Sequence, residues 1–280
     1  MIKKWILYLL LMVFGGTAFA QSNEKDTFTI ISYNIRQSAM GDEANAWELR
    51  KAESVTMVNM EKPDIFCLQE ALSDQLSYLY KQLPNYLHIG VGRDDGKEGG
   101  EHMSIFYLKD RYELLEHGDF WLSQTPDTVS MGWDAACHRI VTWGYFKDRQ
   151  SGKTFYCFNT HLDHVGEVAR RESILLIVNR IQSITNKSKV PIYLTGDFNS
   201  DISSGIFLPL LKWMKPARKE APITNNRGTF NGFGTAPNTI VIDHIFYKFS
   251  KPVSFETLDQ PIYGKSYISD HYPIKAKFIQ

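Results

Sequence analysis

The chain has 280 residues, with 31 lysines and arginines set against 31 aspartates and glutamates. A balance this even provides no overall field to hold a polyanion, so any phosphate it grips must be gripped by a local cluster. The length suits one large sheet-based domain, and no linker, low-complexity tract or internal repeat divides it.

The first element reads as a leader. Lys3 and Lys4 precede an apolar run at 5–14, and Ala18-Phe19-Ala20 supplies small residues before Gln21. That is the layout of a cleavable secretory signal, and the run is shorter than the roughly 20 residues that cross a bilayer. The expectation is a signal at 1–20 and a single domain at 21–280, secreted or periplasmic, with no stable membrane insertion. Losing Lys3 and Lys4 tips the remaining charge slightly to the acidic side.

Downstream, β-rich runs are followed by turns or amphipathic stretches. Strands are predicted over 28–33, 65–68, 103–108, 140–146, 154–158, 192–194, 240–247 and 273–278. One helix is predicted over 44–60, stopping before Pro63 because the residue preceding a proline avoids the helical region. Another is predicted over 167–184, where Ile174, Ile177, Val178 and Ile181 make one apolar stripe. The mixture reads as two sheets covered by helices. Cys67 and Cys157 fall in apolar strand runs and Cys137 stands alone; all three read as small buried hydrophobes, with no functional disulfide expected.

Several strands run straight from apolar core into polar residues. The first ends in Asn34, the second in Gln69-Glu70, another in Asn159-Thr160-His161-Leu162-Asp163 and the next in Asp197-Phe198-Asn199. Two later ones carry Asp243-His244 and Asp270-His271. An unpartnered buried carboxylate is costly, so acids at core strand ends must face positive charge. Oxygen-rich ligands suit Mg2+, Mn2+ or Ca2+. Alternate residues share a face of an extended chain, so Asp197 and Asn199 are expected to point together, as are His161 and Asp163, while Asp243 and His244 point apart. The same rule sets His161 and His164 on opposite faces, which argues against a zinc site between them. His164 and His244 are therefore expected to be structural.

Taken in order, YNIR, LQE, NTHLD, LTGDFN, IDHIF and SDHYPI resemble the signature of the endonuclease/exonuclease/phosphatase superfamily, the deoxyribonuclease I-like metal-dependent phosphohydrolases, over residues 28–275. The resemblance implies an α+β fold: a four-layer α/β/β/α sandwich of two mixed, mostly antiparallel sheets packed between helices. It also implies a divalent ion, Mg2+ or else Mn2+ or Ca2+, held by Glu70 with Asp270, and Asn34 binding metal or phosphate. Asp197 and Asn199 match the pair that orients the attacking water and the transition-state oxygens, His161 the histidine that contacts phosphate, and His271 the catalytic histidine steadied by Asp243. Arg139 resembles a phosphate-contacting arginine and Glu101 a carboxylate supporting His161; Asp163 is expected in a supporting place beside them. Either Asp197 or His271 takes the proton from water, and Asp197 is the preferred acceptor because the Asp243–His271 couple resembles an electrostatic or acid-base partner.

Trp133 and Phe230 lie in loop-like segments and are candidates for a rim that stacks a base or sugar, whereas Trp121 reads as packing. The expected partner is a phosphate ester met by a monomer. Basic residues cluster only at 212–220 and at Arg170-Arg171, so a small phosphodiester, a sugar phosphate or a phospholipid head group is favoured at least as much as nucleic acid. The alternatives are a nuclease acting on DNA or RNA and a non-catalytic phosphate-binding protein on the same fold. A carboxylate-pair glycosidase explains the amide and histidine partners of Asp197 poorly.

Overall fold

The computed structural model describes residues 27–186 and 188–279, so the leader expected at 1–20 lies outside the described residues. The strands run, in chain order, β1 (Thr27–Asn34), β2 (Ile65–Gln69), β3 (Tyr86–Ile89), β4 (Ile105–Leu108), β5 (Tyr112–Trp121) and β6 (Ile140–Asp148). They continue as β7 (Thr154–His161), β8 (Ile192–Asp197), β9 (Lys215–Pro216), β10 (Ile223–Thr224), β11 (Asp243–Lys248), β12 (Lys251–Thr257) and β13 (Ile274–Ile279). The longer helices are α1 (Lys51–Glu61), α2 (Ser73–Gln82) and α3 (Glu167–Ile184), with single turns α4 (Leu208–Leu211) and α5 (Ala217–Glu220).

One sheet has the order β10-β12-β13-β1-β2-β4-β3 and the other β5-β6-β7-β8-β11-β9. Only β1–β2, β7–β8 and β10–β12 pair in parallel among these strands; the remaining neighbours are antiparallel. Side-chain alternation then sorts the layers. On β1, Phe28 and Ile30 enter the core between the sheets, while Ile31 and Tyr33 pack with Met57 of α1 and Leu76 and Leu79 of α2. On β8, Tyr193 enters the same central core and meets Phe28 at a ring separation of 4.8 Å, while Ile192 and Leu194 pack with Ile174, Ile177 and Ile181 of α3. The order is therefore helix, sheet, sheet, helix, the expected sandwich.

The same alternation carries the site. Continued past the apolar part of each strand, the inward-facing positions are Asn34 on β1, Gln69 on β2, Asn159 and His161 on β7, Asp197 on β8 and Asp243 on β11. A polar seam closes the core below them: Gln69 Nε2 donates to Asn159 Oδ1 at 2.7 Å, and Asn159 Nδ2 donates to the Leu68 carbonyl at 2.7 Å. Hydrogen bonds between these buried amides tie the two sheets together at the mouth of the sandwich, although Gln69 Oε1 is left without a partner among the described residues.

Some expectations shift. The helix predicted over 44–60 begins only at Lys51, preceded by two 3-10 turns at Glu43–Asn45 and Trp47–Leu49. The cause is Arg50, fully buried, which donates to the carbonyls of Ile35, Arg36, Asn45 and Ile268. A continuous helix would consume the Asn45 carbonyl internally. β11 starts at Asp243 rather than 240, because the Ile240 carbonyl turns aside to accept from Thr229 and Phe230. Cys67 and Cys157 are free and buried, facing each other from opposite sheets with their sulfurs 3.7 Å apart. Cys137 departs from the reading as a buried hydrophobe: it is half-buried and lines the cavity described next.

Candidate active site

The mouth between the sheets holds a cavity of about 410 Å³. Four carboxylates, Glu70, Glu101, Asp197 and Asp270, line it together with the guanidinium groups of Arg36, Arg93 and Arg139. His161, His164, His271, Asn199 and Phe230 complete much of the wall.

Asp197 is the hub. Its Oδ2 accepts from Asn34 Nδ2 at 3.0 Å and its Oδ1 from the Asn199 backbone N–H at 2.9 Å. The ring nitrogens of His161 and His271 stand 3.5 and 3.6 Å from Oδ2. Asn34 spans the two sheets, since the same amide also donates to Glu70 Oε1 at 2.9 Å. Burial first, then repulsion from Asp243, pushes Asp197 up to about 7. His271 Nδ1 lies 2.9 Å from Asp243 Oδ2. Burial alone would lower His271, but the Asp243 and Asp197 carboxylates outweigh it and raise the imidazole to about 10. His271 is thus a cation clamped between two acids.

His161 is the opposite case. Burial, then Arg139 and Arg93, hold it well below the usual histidine range, so it is neutral. Asn199 donates to the Leu162 carbonyl at 2.9 Å and faces His161 Nε2 at 3.0 Å with the same amide nitrogen. The ring proton therefore sits on Nδ1, which has no hydrogen-bond partner and lies 3.8 Å from Glu101 Oε2. Glu101 is tied more closely to Arg93, its ion-pair partner, and to Gln37, whose amide donates at 3.0 Å.

Asp163 is buried behind the wall and accepts from the backbone of Ala136, Val165 and Gly166, while Arg139 Nε lies 3.2 Å away. Despite burial, those donors and Arg139 hold its carboxyl far below the usual range. Arg139 is thereby fixed, with Nη2 3.0 Å from His164 Nδ1 and Nη1 buried without a partner.

Several expected placements rest on a different geometry from the alternation argument. Asn199 follows the end of β8 in the left-handed region, at φ 47°, so a turn brings it beside Asp197. His161 ends β7, so Asp163 and His164 follow a turn; His164 shares the cavity wall with His161 instead of facing away. Asp270 and His271 both line the cavity because they precede β13. Asp243 and His244 do diverge: His244 packs against Phe198, Phe207 and Phe246 on the far side. Phe230 lines the cavity, its ring edge-on to His271 at 5.1 Å. Trp133 does not line it. Its loop folds back on the end of β5, where Gly132 sits so close that an added Cβ would meet the Leu122 carbonyl at 2.2 Å. Arg36, Gln37 and Arg93 line the wall and were not foreseen; the arginine of YNIR was the available signal, two residues past Asn34, the last residue of β1.

The donors fit a hard divalent ion best at Glu70 and Asp270. Glu70 stands in the left-handed region at φ 63° just past β2, and its Oε2 meets the Gln37 backbone N–H at 3.3 Å. Among the described residues no basic side chain pairs with it. Burial raises Asp270, with Glu70 adding to the rise. Glu70 and Asp270 repel one another and only Asp270 has a guanidinium within ion-pair distance, Arg36 Nη1 at 3.6 Å, so the two acids suit a cation; Asn34 reaches Glu70 through Nδ2, its Oδ1 accepting from the Arg36 N–H. Ligand atoms of Asp197, Asp243 and His271 also lie within 4.8 Å of one another, as do those of Cys137, Asp163 and His164. The first set already contains a cationic imidazole and the second a guanidinium-bound carboxylate, so both repel a metal more than Glu70 does.

The family model described as the Endonuclease/Exonuclease/phosphatase family matches residues 31–271. The chain belongs to that family. Among solved structures, a mannosyl-6-phosphatase of Bacteroides thetaiotaomicron is 36% identical with a TM-score of 0.86, the match covering 90% of this chain and 100% of that one. An endonuclease/exonuclease/phosphatase of Bacteroides vulgatus is 40% identical with a TM-score of 0.85, covering 90% and 98%. Nocturnin of Xenopus laevis is 25% identical over 214 residues, 67% of this chain but 52% of that protein, so the chain spans about half its length. Family membership makes phosphoric ester hydrolysis the frame for the site.

Proposed function

We propose that the protein is a divalent-metal-dependent hydrolase of small phosphoric esters, acting by in-line attack of water, with a sugar phosphomonoester as its substrate class. The observation that carries this is one continuous set of contacts at the base of the cavity. Asp243 meets His271 at 2.9 Å, His271 faces Asp197 at 3.6 Å, and Asn34 joins Asp197 to Glu70 at 3.0 and 2.9 Å.

Glu70 and Asp270 would hold the ion, with Asn34 beside them, and a bound ion offsets negative charge gathering on the phosphoryl oxygens. The chain does the rest. Asp197, raised toward neutrality by burial and fixed by Asn34 and the Asn199 N–H, accepts the proton of the attacking water. His271 already carries its proton, so it serves as a fixed positive charge rather than as the base. Arg139, held by Asp163, contacts the phosphate. Asn199 has its amide N–H groups occupied, leaving Oδ1 to orient the water.

The cavity of about 410 Å³ suits a sugar phosphate, and the arginines sit inside it rather than along a track that would follow a polynucleotide. The likeness to a mannosyl-6-phosphatase supports the same substrate class. The likeness to nocturnin favours a nuclease as the second reading. The protein acts as a monomer outside the cytoplasm after loss of residues 1–20, which N-terminal sequencing of exported protein checks.

The test is a hydrolysis panel of hexose 6-phosphates, bis-p-nitrophenyl phosphate, DNA and RNA, each with Mg2+ and with EDTA. Ion-dependent phosphate release from the hexose phosphates is expected. Faster cleavage of DNA or RNA moves the assignment to a nuclease, and binding without turnover moves it to a phosphate-binding protein.

A further inference from the structure

We propose that Arg36 is the built-in second cation of the site, so that the cavity takes one divalent ion at Glu70 instead of two. The inference rests on the reading of the site as a metal-dependent hydrolase. Arg36 leaves β1 in the left-handed region at φ 58°, and its backbone is pinned on both sides. Its N–H donates to Asn34 Oδ1 at 3.0 Å, and its carbonyl accepts from Arg50 at 2.7 Å and Gln75 at 3.0 Å. Asp42 then grips the guanidinium through two parallel bonds, from Nε and Nη2, each 3.0 Å long. That fork fixes the plane of the group and leaves Nη1 pointing at Asp270 Oδ2, 3.6 Å away.

The consequence is electrostatic. Asp270 would share the ion at Glu70 and is also the other acid of this rim that a second ion would have to draw on, but a permanent positive charge already faces its Oδ2. An ion placed between Asp270 and Arg36 would meet a cation that cannot lose its proton and that Asp42 holds in place. Glu70 has no basic side chain within ion-pair distance among the described residues and feels Arg36 less than Asp270 does, so it keeps the stronger attraction for an ion. The other cavity arginines do not compete for this part, because Glu101 pairs with Arg93 and Asp163 with Arg139.

Manganese titration of the full-length protein by calorimetry, with electron paramagnetic resonance counting bound ions, tests the idea without turnover. The wild type is expected to take one ion per chain. Arg36→Gln, verified as folded by its thermal melt, is expected to bind manganese about tenfold more tightly or to take a second ion, because a repelling charge is gone. Arg36→Lys, which keeps the charge, stays within about twofold of the wild type by the same reasoning. A purely structural role for Arg36 predicts the reverse sign, weaker binding in Arg36→Gln, and that result overturns the proposal. Two ions in the wild type also overturn it, whether or not the variants fold, while leaving the hydrolase reading intact. No ion in the wild type sinks both.

Discussion

The two rims of the cavity are built on different principles. The rim of the first sheet brings Asn34, Glu70 and Asp270, oxygen donors whose negative charge is only partly met by Arg36. The rim of the second sheet brings Asp243, Asp163 and Arg139, each already paired: Asp243 with His271 at 2.9 Å and Asp163 with Arg139 at 3.2 Å. The first rim is arranged to lack a charge and the second to be complete without one. Buried charge is tolerated only when paired, so the first rim is where an ion binds, and the second is where protons and phosphate are handled. His271 joins them, since it precedes a strand of the first sheet and pairs with an acid of the second.

Breaking each rim separately sharpens the contrast. Asp197→Asn is expected to lower kcat by roughly 10²-fold or more while manganese binding in calorimetry persists, because the proton acceptor is lost and the ion's carboxylates remain. Glu70→Gln should instead abolish measurable manganese uptake along with turnover. If the two variants lose ion binding to the same extent, the division between the rims is wrong. Asp163→Asn touches neither reacting group. It loosens Arg139, and the expected result is a rise in KM of about 10-fold for the phosphate ester, with smaller change in kcat, read from steady-state kinetics.

The first sheet also depends on a buried cation away from the site. Arg50→Leu removes the donor from four carbonyls, including those of Ile35 and Arg36, and should lower stability by about 3 kcal/mol in urea denaturation. The smallest expected effect lies on the outer face of the second sheet. Burial against phenylalanine rings lowers His244 to about 4. An unfolded histidine takes its proton near 6.5, so between pH of about 6.5 and 4 the unfolded chain binds more protons and stability falls as pH drops, flattening below. His244→Gln should show a smaller fall in Tm across that window than the wild type.

The polar strand ends were legible because alternation along a strand fixes which residues face inward: Asn34, His161 and Asp197 follow from the apolar residues before them, and Asp243 from those after it. What lay past the strand ends was not. Glu70, Asn199 and Arg36 sit in left-handed turns, where sequence spacing no longer sets direction. The local positive charge was hidden for another reason. Arg36, Arg93 and Arg139 are far apart in the chain and converge only when both sheets close, so composition does not show that three guanidinium groups meet four carboxylates in one cavity. The helix predicted from 44 started late because Arg50 reaches carbonyls up to 218 residues away, a tertiary demand that no local pattern records. Strands such as β5 escaped because their exposed polar residues break the apolar alternation that marks a buried strand.

The most direct measurement is phosphate release from a hexose 6-phosphate by the wild type and Asp197→Asn, followed while EDTA is titrated in and Mg2+ is added back. The account predicts turnover by the wild type that stops with EDTA and returns with Mg2+, and turnover by the variant at least roughly 10²-fold lower throughout. Release that ignores EDTA, or that proceeds equally in the variant, would contradict it.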